Sequence, residues 1–111
     1  MPRRIDKTAL AEQDLDNLAV YYLREAGIVV TRRFLRNAEH AFTHLANMPQ
    51  MGALVGFTKP EQAGIRRWHI QGFPRLLILY RANPDGIEVI RVVDAGRDII
   101  ALLADADCPL T

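Results

Sequence analysis

Residues 64–98, GIRRWHIQGFPRLLILYRANPDGIEVIRVVDAGRD, decide the fold. In the middle of this stretch Leu76, Leu77, Ile78, Leu79 and Tyr80 are apolar in succession. A strand of that composition needs cover on both faces and belongs at the centre of a sheet. Asn83-Pro84-Asp85-Gly86 is strong turn chemistry, so residues 87–93 return as an antiparallel strand. Gly72 marks the turn before the central strand, which spans 73–81, and residues 65–70 form the strand that precedes it. Arg66, Arg67, Arg75, Arg81, Arg91 and Arg97 all fall here, against Asp85, Glu88, Asp94 and Asp98. A sheet that presents guanidinium groups suits an acidic partner or a phosphate.

Working outward, residues 3–8 read as a short strand with Ile5 pointing inward, and Thr8 suits a helix N-cap. Ala11, Leu15, Leu18, Tyr22 and Ala26 then form one helical stripe, with Glu12, Asp14 and Asp16 well placed for the helix dipole and Gly27 as C-cap. A second helix starts between positions 28 and 31 and runs to about Asn47, before Pro49. Its stripe is Phe34, Leu35, Ala38, Ala41, Phe42 and Leu45, with Arg32, Arg33 and Arg36 outside it. The two helices should fold back as an antiparallel hairpin whose apolar stripes need the sheet as cover. Residues 48–63 read as a loop, and 97–104 as a short helix packing through Ile99, Ile100, Leu102 and Leu103. The expected architecture is α+β, with element order β–α–α–β–β–β–α and a small antiparallel sheet.

Composition narrows the function. A chain of 111 residues, 50% hydrophobic and 24% charged, is one folded domain spanning residues 1–111. No run approaches a membrane span, and the lone Cys108 fits a reducing cytoplasm. The net charge of +1 argues against a chain that grips nucleic acid through many phosphates. Lys7 and Lys59 are the only lysines, so nearly all the positive charge is arginine, which favours fixed bidentate pairing. No cofactor motif appears. His40 and His44 have metal-ligand spacing on a helix but no third ligand, and read as a polar helix edge.

The residues together resemble the ParE/RelE superfamily of toxins from type II toxin–antitoxin modules. Ala11, Asp14 and Leu15 match A-x-x-DL, and Tyr22 follows. Phe34-Leu35 and then Leu45, Pro49 and Gly52 match the L-x-x-x-P-x-x-G junction. The sheet supplies Ile65-Arg66, Leu79-Tyr80-Arg81 and Ile90-Arg91-Val92, and Arg97-Asp98-Ile99 ends the series. The resemblance implies an antitoxin whose acidic, extended or helical segment wraps the toxin. Arg66, Trp68, Arg81, Arg91 and Arg97 are then the candidates for binding the antitoxin or the target, and Phe57 is a further apolar contact. Operator DNA would be met only through the antitoxin.

The branch decides the chemistry. A RelE-like member would cut mRNA on the ribosome, which needs cations at the scissile phosphate and an acid–base pair. Arg66, Arg81 and Arg91 could be the cations, with Tyr80 as the catalytic partner, or Lys59 or His69. Yet Asp94 stands after Arg91-Val92-Val93, where many relatives carry a histidine, and the tail has neither Tyr nor His. His69 alternates with Ile65 and Arg67, away from Arg66 and Trp68, and reads as structural or surface-exposed. The ParE-like branch, implied to poison DNA gyrase without performing chemistry itself, fits this set better.

Overall fold

The computed structural model describes residues 3–56 and 60–95. The elements are β1 (Arg4–Lys7), α1 (Ala9–Glu25), α2 (Ile28–Asn47), β2 (Ala53–Leu54), a 3₁₀ turn (Pro60–Gln62), β3 (Ile65–Ile70), β4 (Phe73–Asn83) and β5 (Gly86–Asp94). The expected helix over 97–104, with Arg97 and Ile99, lies outside the described residues, as do Phe57, Lys59 and Cys108.

The strands form one sheet in the order β1-β5-β4-β3-β2. The β3–β4–β5 meander is antiparallel as expected, and β4 is central, with Leu76 to Tyr80 all at most 3% exposed. The sheet is mixed rather than purely antiparallel. The helical hairpin between β1 and the meander lets β1 return alongside β5 in parallel, with Ile5 opposite Ile87. Two residues of the expected 48–63 loop also join the sheet, since Ala53 and Leu54 pair with Arg67 and Arg66.

Both helices lie on one face of the sheet. Phe34, Ala38, Phe42 and Leu45 of α2 and Ala11 of α1 pack there with Ile78, Tyr80, Ile87, Val89 and Val92. Leu35 was expected in that stripe but is exposed, because it is rotated about 100° from Phe34 around the helix. Tyr22, Phe34 and Phe73 join α1, α2 and β4, with ring centroids 5.2 to 5.6 Å apart. The opposite face carries a second cluster of Ile65, Leu77, Leu79, Ile90 and Val93, against which Val55 packs.

The helical hairpin turns in two residues. Ala26 ends α1, and Gly27, at φ +91°, serves as N-cap of α2, a conformation that favours glycine. Its carbonyl accepts both the Thr31 amide and the Thr31 hydroxyl. At the other end of α1, Thr8 caps the helix as expected, its hydroxyl accepting the Ala11 amide at 3.0 Å.

Candidate functional site

The β4–β5 ladder slips by one residue: Leu79 pairs with Arg91 but Tyr80 with Val89, so Ile90 has no partner across the ladder. A bulge of this kind leaves backbone polar groups out of the pairing. Two α1-side residues take them up. The Thr8 hydroxyl donates to the Ile90 carbonyl at 2.7 Å, and the Val92 amide donates to Asp14 Oδ2 at 3.0 Å. Asp14 also accepts Arg91 Nε at 2.7 Å and Arg91 Nη2 at 2.9 Å, a bidentate pair with side chains 14% and 12% exposed. The Asp14–Arg91 pair thereby bolts α1 to the bulged strand.

Tyr80 and Arg66 hold a different segment. The Tyr80 hydroxyl donates to the Pro49 carbonyl and accepts the Gly52 amide, both at 2.8 Å, while Arg66 Nη1 donates to the Gly52 carbonyl at 2.7 Å. These bonds fix the turn that leads from α2 into β2. Burial raises the Tyr80 pKa above its ordinary value, although the Gly52 amide and the Arg66 charge pull it down. Gly52 cannot be larger: a Cβ there would stand 2.6 Å from the Arg67 carbonyl and 2.6 Å from the Tyr80 hydroxyl.

The sequence-predicted residues are therefore not gathered into one catalytic cluster. Arg66 and Tyr80 meet at the Pro49–Gly52 turn, and Arg91 faces Asp14 across from α1. Arg81 lies opposite Glu88 on β5 and Ile65 on β3, half-exposed. Trp68 is half-buried and packs against the core under α2, its ring 5.9 Å from that of His44. It lines a groove of about 490 Å³ between α2 and β3, together with Asn37, His40, His44, His69 and Gln71. His69 Nδ1 lies 2.8 Å from the Pro74 carbonyl, and His44 Nε2 lies 3.2 Å from Met51 Sδ. Among the described residues, no three metal-ligating side chains come together.

The family model described as ParE toxin of type II toxin-antitoxin system, parDE, matches residues 5–99. The chain belongs to the ParE toxin family. A solved structure from P. aeruginosa, described as the chromosomal ParDE TA system, matches with a TM-score of 0.66. It is 17% identical, and the match covers 84% of this chain and 96% of that one. No curated protein matches the chain.

For this ParE-family chain, sequence reasoning found Asp14, Gly52, Tyr80 and Arg91 as motif positions but not the contacts that join them. One signal was available. Asp14 lies three residues after Ala11 and four before Leu18, on the edge of the apolar stripe, where a carboxylate needs a buried cation or amide.

Proposed function

We propose that this ParE-family toxin acts in the cytoplasm by binding DNA gyrase as a protein target, so that cleaved DNA accumulates. We further propose that a cognate antitoxin silences it. The observation that carries this reading is the engagement of three of the four side chains a RelE-like nuclease would draw on here, Arg81 being the fourth. Arg91 faces Asp14, Tyr80 holds Pro49 and Gly52, and Arg66 holds the Gly52 carbonyl. A scissile phosphate would have to displace these bonds before it met a cation or a proton donor. The side chains of the described sheet thus favour a toxin that recognises a protein over one that cuts RNA.

The antitoxin reading rests on the groove and on the outer strands. Trp68 offers an apolar wall beside His40 and His44, room for the Leu and Ile side chains of an acidic segment. The outer strands β1 and β2 could each accept a further strand, with carboxylates directed to arginines such as the exposed Arg67 beside β2. Operator DNA is then contacted by the antitoxin alone.

One experiment tests the target. Purified chain is incubated with gyrase and supercoiled plasmid, beside translating ribosomes supplied with mRNA. Linearised, gyrase-bound plasmid with intact mRNA is the expected result. Cleaved mRNA with untouched gyrase would replace this reading with the RelE-like one.

A further inference from the structure

Five large apolar side chains between positions 20 and 29 face solvent: Val20, Tyr21, Leu23, Ile28 and Val29, exposed by 54, 56, 50, 51 and 74%. They occupy the last turns of α1, the turn at Gly27 and the start of α2, so they form the tip of the hairpin. None of them belongs to either hydrophobic cluster of the described residues. Large apolar side chains exposed together at one end of a small domain mark a binding surface, since they cost solubility without stabilising the fold.

The rim of the patch identifies the partner. Arg24 lies among these residues and Arg32, Arg33 and Arg36 follow them on α2, all exposed, and Glu25 is the only acid from position 20 to 36. Arg33 stacks over the Phe73 ring at 5.6 Å, while Arg24, Arg32 and Arg36 have no ion-pair partner among the described residues. Residues 20–36 carry four arginines against one acid, a local excess of +3 in a chain whose net charge is +1. A second copy of this chain would set these arginines against their equivalents and is disfavoured by repulsion. An acidic surface with an apolar recess complements both the patch and the rim.

The tip is also separate from the Pro49–Gly52 turn and from the outer strand β2. None of its residues lines the groove beside Trp68, and Tyr22, next to Tyr21 and Leu23, places it beside the β3–β4 turn through Phe73, ring centroids 5.2 Å apart. Strand β2 pairs with Arg66 and Arg67, at the other end of β3. The two-residue connection, pinned by bonds from Thr31 to the Gly27 carbonyl, presents the apolar side chains without a flexible loop, which lowers the ordering cost of binding.

We infer that the hairpin tip docks the toxin's target, an acidic protein surface with an apolar recess, independently of the antitoxin surface. This rests on the reading of the chain as an active toxin. The test uses two full-length variants, Leu23→Ser/Val29→Ser and Arg32→Glu/Arg36→Glu, whose positions are exposed, so melting temperatures should stay close to that of the parent. Each is measured for growth inhibition on induction, for gyrase binding, for binding to co-expressed antitoxin, and for binding to phosphatidylglycerol vesicles. The expected result is a tenfold or greater loss of growth inhibition and gyrase binding with unchanged antitoxin affinity.

Variants as toxic as the parent would overturn the inference. So would an equal loss of antitoxin binding, which would assign the tip to the antitoxin, or strong vesicle binding that the arginine variant abolishes, which would assign it to a membrane. A parent that stops growth without binding gyrase would overturn only the choice of gyrase, and the tip would still be judged by growth. A parent harmless in cells would remove the active-toxin reading itself, and this inference with it.

Discussion

Replacing Asp14 by Ala should be among the most damaging single changes on the surface of α1. The substitution removes three acceptor bonds at once, two from Arg91 and one from the Val92 amide. It also leaves a guanidinium only 12% exposed without this carboxylate. Removing one partner of a buried ion pair costs about 3–5 kcal/mol, and the residual exposure places this pair near the lower end, about 3 kcal/mol. With an unfolding entropy of about 2.1 cal/mol/K per residue over 111 residues, that loss lowers the melting temperature by roughly 13 °C. Asp14→Asn keeps an acceptor for the Val92 amide and loses the charge, so it should fall between Asp14→Ala and the parent. The double variant Asp14→Leu/Arg91→Met removes both charges and should be more stable than Asp14→Ala alone, because no buried guanidinium then lacks the Asp14 carboxylate. Urea melts of the parent, Asp14→Leu, Arg91→Met and the double variant give the coupling energy. A loss below 1 kcal/mol for Asp14→Ala, or a double variant that loses the sum of both single effects, would refute the bolt between α1 and β5.

Gly52→Ala should cost about 1–3 kcal/mol in a urea melt, because the new methyl meets a backbone carbonyl that cannot swing aside. Gly56→Ala is its control: a Cβ there meets nothing within 4 Å, and the change should stay within about 0.5 kcal/mol. Phe73→Ala should destabilise by about 3–5 kcal/mol and loosen the hairpin, read as lost amide-exchange protection between residues 20 and 34. Alkaline pH should weaken the fold through tyrosine. An unfolded tyrosine releases its proton near pH 10, whereas burial holds the protons of Tyr80 and Tyr22 to higher pH. Stability is therefore full below about pH 10 and declines as pH rises through the folded values. Melts of the parent at pH 9 and 11 should show that loss, and Tyr80→Phe should show less of it; an identical decline in both would exclude Tyr80 as a source.

The sequence alone determined the meander. Five consecutive apolar residues can be buried only at a sheet centre, and Asn83-Pro84-Asp85-Gly86 can only turn, so β4 and its return strand followed from local chemistry. The hairpin followed equally from helical spacing and from Thr8, Gly27 and Pro49. The parallel seat of β1 and the short strand at Ala53–Leu54 did not, because pairing partners are chosen across the fold rather than along the chain. The same limit governed the site. Six arginines in one stretch looked like a surface offered to a partner, yet what each one does depends on residues far off in sequence. Asp14 stands 77 residues before Arg91 and faces it only in the folded chain, beside the bulge at Ile90. Residue types fixed the charges that were available; the tertiary structure decided which of them the protein keeps for itself.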